Sequence, residues 1–254
     1  MTILTNDLLA SFSKDKTIKI WSLNENKVNL KRTLKIKNEV RGLVQLNNGY
    51  LAGFFNESKS IKIWDPFSFR TVKKLKHTSH ITGLAVLENG LASCSINGTI
   101  NIWNYITGKL INITRCHIDE IHGLTLISSG SLCSYSFDCS IKIWNIDTGK
   151  IIKSLIGHTD YVKDLIELTC GYLASCSWDT TIKIWDYFEG ANIWKEQHSF
   201  VAHSSAIYCL VPDAINNRLY TAGDDGTVKL WNMTNWSLAY EFNKVGVQTI
   251  TGLF

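Results

Sequence analysis

Apolar and polar residues alternate along this chain in short runs that return at a nearly constant interval. The clearest run is Thr181-Ile182-Lys183-Ile184-Trp185-Asp186, and the order [Thr/Ser]-[Ile/Val]-[Lys/Asn]-[Ile/Leu]-Trp ends at Trp21, Trp64, Trp103, Trp144, Trp185 and Trp231. These tryptophans stand 43, 39, 41, 41 and 46 residues apart. Alternation with β-branched residues predicts a half-buried strand. Its return at this period predicts a stacked repeat architecture.

The fifth unit shows what one repeat contains. Tyr161 to Leu168, Tyr172 to Ser177, Ile182 to Trp185 and a segment from Ile193-Trp194 onward read as four strands. Turns fall at Gly171, at Trp178-Asp179-Thr180 and at Asp186 to Ala191. Four short strands with turns at this spacing predict one antiparallel sheet. Such a sheet leaves both faces apolar, and radial stacking against its own copies covers them. In the second unit the strands are Val40 to Leu46, Tyr50 to Phe55 and Ser60 to Trp64.

The first unit opens directly on its second strand, Leu8 to Ser11, and lacks a proper first one. The tail Val247 to Phe254 matches Ile81-Thr82-Gly83-Leu84, the first strand of the third unit. The tail is therefore expected to complete the first sheet and close a ring, which would cover two sheet edges. With no linker between units, residues 1–254 are expected to form a single domain.

On the six tryptophan-closed strands, the Gly157-His158 pair and the pairs Trp64-Asp65 and Trp185-Asp186, the chain resembles the WD-repeat family. The resemblance covers nearly the whole chain. It implies an all-β, six-bladed WD-repeat β-propeller, each blade a four-stranded antiparallel sheet, with the C-terminal strand joining the N-terminal blade. It also implies a non-enzymatic scaffold or adaptor without a cofactor, binding a protein or peptide on the rim around a central channel. A small-ligand or nucleic-acid receptor using the same aromatic and basic rim is the alternative.

Three units carry a His, a Ser or Thr, an Asp and a Trp at fixed offsets. The sets are His117, Ser134, Asp138 and Trp144; His158, Ser175, Asp179 and Trp185; and His203, Thr221, Asp225 and Trp231. One copy alone would suggest a Ser-His-Asp nucleophile. Three copies argue otherwise, because an enzyme needs one nucleophile. They resemble the family's structural tetrad, a buried hydrogen-bond chain from turn Asp to indole. The set decays elsewhere: the third unit has Asn97 for Asp, the second has Ile36, Phe54 and Ser58, and the first has Gly246 for His.

Composition narrows the class. Hydrophobic residues make up 45% and charged residues 19%, which is globular rather than disordered. The net charge of +4 is mild. Its repeated lysines, Lys19, Lys62, Lys142, Lys183 and Lys229, are spread over the units rather than gathered in a stripe, which weighs against nucleic acid. The seven cysteines contain no CxxC pair. Cys94 and Cys176 share a slot that holds Phe12, Phe55, Tyr135 and Ala222 in other units, so they read as buried thiols and point to a reducing compartment. The cytoplasm is expected, with the nucleus also open. No apolar stretch reaches the ~18 residues of a membrane span. The chain is expected to act as a monomer or as a subunit of a larger complex. His80, Glu120 and His122 raise a metal question, but their spacing fits no local metal motif, so no metal is expected.

In WD-repeat proteins the rim is formed largely by residues three and five after the unit's histidine and by the one before the turn Asp. Carried onto this chain, the resemblance marks Lys14, Arg41, His80, Glu120, His122, Phe137, Tyr161, Lys163, Trp178, Tyr208 and Asp224 as partner-binding. Glu39 and Glu57 fall at matching positions of the second unit. Phe137, Tyr161, Trp178 and Tyr208 would form an aromatic sector across three consecutive blades. Packing of these rings into blade interfaces is the competing reading. Phe137 and Trp178 occupy tight turns where other units place Lys14, Glu57 and Asp224, which favours the exposed sector.

Overall fold

The computed structural model describes residues 2–4, 7–24, 27–169, 171–188 and 193–242, and among these every regular element is a strand. The strands make six four-stranded antiparallel sheets, blades of the β-propeller type, in two compact units, Met1–Leu124 and Thr125–Phe254.

Blade 1 of the first unit is β1 (Thr2–Leu4), β2 (Leu8–Phe12), β3 (Thr17–Asn24) and β4 (Lys27–Lys35). Blade 2 is β5 (Val40–Gln45), β6 (Leu51–Phe55), β7 (Ser60–Trp64) and β8 (Thr71–Lys76). Blade 3 is β9 (Ile81–Leu87), β10 (Gly90–Ser95), β11 (Thr99–Asn104) and β12 (Lys109–Arg115). Blade 4 is β13 (Ile121–Leu126), β14 (Leu132–Ser136), β15 (Ser140–Asn145) and β16 (Lys150–Ile156). Blade 5 follows with β17 (Val162–Glu167), β18 (Leu173–Ser177), β19 (Thr181–Phe188) and β20 (Ile193–Val201). Blade 6 is β21 (Ile207–Asp213), β22 (Arg218–Gly223), β23 (Val228–Asn232) and β24 (Leu238–Phe242).

The cores lie between consecutive blades, as sheets apolar on both faces require. In the first unit Leu4, Ala10, Ile18 and Ile20 pack against Val40, Leu43, Leu51, Phe55 and Trp64. Phe54, Ile61 and Ile63 then pack against Ile81, Leu91 and Trp103. In the second unit Cys133, Ile141 and Ile143 meet Val162, Leu165, Leu173 and Trp185. Ala174, Cys176, Ile182 and Ile184 meet Ile207, Leu210, Leu219 and Trp231. Each large aliphatic side chain buried in this way contributes roughly 1.5–3 kcal/mol.

The repeat is written into backbone irregularities as well as side chains. In every blade the register between third and fourth strands shifts at the residue before the tryptophan, from Ile20/Trp21 to Leu230/Trp231. A bulge at that point increases local twist and turns the indole toward the blade interface.

Two expectations need correction. The first blade does not lack a first strand: Thr2, Ile3 and Leu4 pair with Ala10, Leu9 and Leu8 and occupy that place. A three-residue strand is too short to show an alternating pattern, and so the sequence hides it. The tail 247–254, expected to fill this place and close a ring, lies outside the described residues. In blade 2 the turn between β6 and β7 is one residue out of step. There the Ser58 N–H bonds Phe55 O at 3.1 Å, and Glu57 takes the left-handed conformation, φ 52°. In blades 3 and 6 Gly98 and Gly226, one residue after the turn Asn or Asp, take that conformation instead. The residue of blade 2 equivalent to Trp178 is consequently Asn56, whose N–H bonds Glu39 O at 2.9 Å as Trp178 N–H bonds Tyr161 O, and not the expected Glu57.

Candidate partner-binding site

The inner strands of the second unit carry a bulge that the alternating pattern does not announce. The β17–β18 register passes from Val162 opposite Ser177 to Asp164 opposite Cys176, leaving Lys163 as the extra residue. In β21–β22 it passes from Ile207 opposite Gly223 to Cys209 opposite Ala222, leaving Tyr208. A bulged residue is released from the pleat and its side chain is re-aimed. Lys163 and Tyr208 are the positions five after His158 and His203.

The turns bring up the partners. Trp178 N–H bonds Tyr161 O at 3.0 Å, tying the turn of blade 5 to the start of its inner strand, and Asp224 N–H bonds Ala206 O at 2.8 Å in blade 6. In blade 4, Asp138 Oδ1 accepts the Ser140 N–H and hydroxyl at 3.1 and 2.6 Å, which folds the turn that carries Phe137.

These devices converge on one aromatic cluster. Phe137 and Tyr161 stack with ring centroids 4.2 Å apart and planes 6° from parallel. Trp178 lies 5.0 Å from Tyr161 and 6.2 Å from Phe137, and Tyr208 meets Trp178 edge-on at 6.3 Å. The Lys163 ammonium sits 4.9 Å from the Phe137 ring, 5.3 Å from Trp178 and 5.8 Å from Tyr208. Offset stacks and edge contacts of this kind are worth about 0.5–1.5 kcal/mol each, and a cation over a ring adds a comparable amount. The cluster is preorganised, and its members fix one another.

The rings stand half-buried rather than fully exposed, because they cover each other. The Trp178 indole N–H is buried with no acceptor among the described residues. Burial raises the Tyr208 phenol above its ordinary pKa, with the negative charge of Asp224 adding to the shift. The cluster therefore offers π faces, a phenol and one held cation. No group of three His, Cys, Asp or Glu among the described residues is arranged to hold a metal ion.

The remaining positions marked by the resemblance are distributed differently. Asp224 is exposed beside the cluster in blade 6. In the first unit Lys14 and Arg41 are exposed, and His80, Glu120 and His122 are partly buried. Arg41 reaches Asn56 Oδ1 at 3.2 Å and Glu39 at 3.7 Å.

The tetrad residues form closed internal chains. In blade 5 the Trp185 N–H donates to Ser175 Oγ at 2.9 Å, His158 Nε2 lies 2.8 Å from that hydroxyl, and His158 Nδ1 lies 2.8 Å from Asp179 Oδ2. The carboxylate requires the proton on Nδ1, so the Ser175 hydroxyl donates to Nε2. Blade 6 repeats this with Trp231, Thr221, His203 and Asp225 at 3.0, 2.7 and 3.0 Å. In blade 4 the Trp144 N–H donates to Ser134 Oγ at 3.0 Å, and His117 is buried. Burial opposes ionisation of Asp225, but bonds from Thr227, His203 and Ser204 outweigh it and hold the carboxyl at about 2. Burial likewise works against Asp179, and the His158 and Thr181 bonds hold it well below the usual carboxylate range. Ser175 and Thr221 are fully buried, with every contact internal.

Blade 3 shows the chain interrupted. Trp103 still donates to Ser93 at 2.8 Å, but Asn97 accepts from Ser95 and Thr99, and His77 Nε2 is buried without a partner. Burial pushes His77 down to about 4, the Ser93 backbone opposing.

One residue was not marked by the repeat. Asp164 stands where other units have Gly42, Gly83 and Gly123, and its carboxylate binds across to blade 6. The signal was an acid in a glycine slot. At Gly42 even a methyl group would meet the Phe54 ring at 2.2 Å, whereas the slot in blade 5 has room for a carboxylate.

Comparison with known proteins bears on the same residues. The family model described as WD domain, G-beta repeat matches residues 4–22, 69–104, 108–145, 149–186 and 194–232. The chain is 26% identical over 136 residues to the WD repeat-containing protein pop1 of Schizosaccharomyces pombe, a match covering 49% of this chain and 14% of that protein. It is 27% identical over 134 residues to the nuclear distribution protein PAC1 of Gibberella zeae, covering 46% of this chain and 28% of that protein. The matched region is thus a minor part of either relative. With more than half of its residues matched by the repeat model, this chain belongs to the WD domain, G-beta repeat family.

Proposed function

We propose that this chain is a non-enzymatic interaction platform that binds a peptide segment or loop of a protein partner on the Phe137–Tyr161–Trp178–Tyr208 cluster. The observation that carries this reading is the four-ring cluster itself, drawn from three consecutive blades and organised around Lys163. The family, whose members generally act as protein-interaction scaffolds, supports it. Aromatic rings offer large apolar area at low side-chain entropy cost, which suits an apolar anchor residue. Lys163 suits an acidic neighbour. The buried thiols Cys94, Cys133 and Cys176 support a reducing compartment, cytoplasmic or nuclear.

The test is capture of partners on immobilised protein, comparing wild type with Trp178→Ala and Trp185→Ala, alongside melting curves. Trp178→Ala should weaken binding by about 2 kcal/mol or more, as a hot-spot truncation does. Trp185→Ala, which breaks a tetrad, should lower the melting temperature first. Undiminished binding by folded Trp178→Ala sinks this assignment. A steep loss of binding with salt would instead favour nucleic acid on the same rim.

A further inference from the structure

The second blade, where the tetrad is lost, contains a cavity of about 170 Å³ lined by Lys37, Asn38, Phe55, Ser58, Ser60, Lys62 and Lys74. Three of the seven lining residues are lysines and none is acidic. The repeat explains how they meet. In five blades a third-strand lysine faces a fourth-strand residue across the sheet, and in blade 6 that residue is an acid: Lys229 is opposite Glu241, with Nζ 3.5 Å from its carboxylate. In blade 5 Lys183 is opposite Ser199, with the Glu196 carboxylate at 2.9 Å and the Ser199 hydroxyl at 3.0 Å. In blade 2 Lys62 is opposite Lys74.

Like charges directly opposite on a sheet are destabilising, and among the described residues no carboxylate is paired with Lys62 or Lys74. Glu39, next to Asn38 in the chain, is turned to Arg41 instead. Lys62 leans over the Phe55 ring at 4.8 Å, and both residues line the cavity. Ser58 holds the floor, its hydroxyl accepting the Ser60 N–H at 3.0 Å. The out-of-step turn at Glu57 shapes this corner: Gly53, not the Phe54 expected from residue spacing, faces Lys62 as Ser175 faces Lys183, and Ile36 stands in the place of His158.

We propose that this cavity binds a phosphate group, free or esterified, held by Lys37, Lys62 and Lys74, with the Asn38 amide and Ser60 hydroxyl as further donors. A tetrahedral dianion supplies the negative charge that Glu241 and Glu196 supply in blades 6 and 5, and its oxygens accept from several ammonium groups at once. The site is independent of the aromatic cluster and stands if that assignment fails.

The experiment titrates inorganic phosphate into the full chain at fixed ionic strength set with chloride, read by calorimetry and by thermal unfolding. Wild type should bind at one saturable site and gain melting temperature. Lys74→Glu restores the pairing of blade 6; it should melt higher than wild type without phosphate and bind phosphate at least about tenfold more weakly. Trp178→Ala should bind phosphate as wild type does. No saturable binding by wild type, or undiminished binding by Lys74→Glu, overturns the proposal. A capped phosphoserine peptide run in parallel separates the sources: tighter binding than inorganic phosphate assigns a phosphorylated chain, and equal or weaker binding assigns the free anion.

Discussion

Asp164 Oδ2 accepts the backbone N–H of Leu210 at 2.9 Å, carrying a carboxylate from the inner strand of blade 5 to that of blade 6. Its other oxygen accepts the Leu165 N–H at 2.9 Å. The residue keeps some exposed surface, yet the carboxyl is turned inward, and burial raises it from 3.8 to about 6 against the pull of these two bonds.

Asp164 and His77 make opposing contributions to the pH dependence of stability. Asp164 titrates higher in the folded chain than in the unfolded one, so its contribution is complete below about pH 4 and is lost as pH rises through 6. His77 titrates lower when folded, about 4 against 6.5, so its contribution is present above 6.5 and is lost as pH falls toward 4. Each is worth on the order of 2–3 kcal/mol, and over this window they oppose. In urea unfolding from pH 7 to 4 the two variants should therefore depart from wild type in opposite directions. Asp164→Asn should lose stability steeply on acidification, and His77→Leu should gain it. Parallel profiles for all three proteins would contradict this assignment.

The tetrads should separate by completeness. His158→Ala removes a ring that satisfies both Asp179 and Ser175, leaving buried polar groups without partners at a cost of about 1–3 kcal/mol. His77→Leu removes an Nε2 that has no partner, losing only the long bond from Ser79 N–H to Nδ1 at 3.4 Å, and it should match wild type at pH 7. Denaturant midpoints measure both. Partner binding should persist in His158→Ala while the protein remains folded, and its loss without loss of stability would mark His158 as functional.

Lys163 tests how the cluster is organised. Lys163→Met keeps most of the apolar stem and removes the charge above Phe137, Trp178 and Tyr208. Stability should fall by about 1 kcal/mol, the scale of cation–ring contacts at a partly covered site. Trp178 fluorescence should shift as its neighbour loses charge, and captured partners should bind with weaker salt dependence. A variant identical to wild type in all three measurements would show that the lysine plays no part.

The amino-acid sequence by itself determined the repeat, most of its strands and the offsets at which the tetrad residues of blades 5 and 6 meet. These rest on local regularities: an alternating β-branched run closed by tryptophan makes a strand wherever it stands, and buried hydroxyl, imidazole and carboxylate must find one another at fixed offsets. Ser60–Trp64 was legible to the residue, and Leu51–Phe55 to within one. Only the tertiary structure decided where the extra residues of the pairing go. The bulges at Lys163 and Tyr208 aim those side chains at Trp178, and bulges arise from pairing between strands, which no single strand encodes. The same is true of Thr2–Leu4, too short to show a period, and of the slipped turn at Glu57. Lys62 and Lys74 are unremarkable surface lysines when read singly. They become a charged pair because strand register sets them opposite each other, and register belongs to the folded sheet.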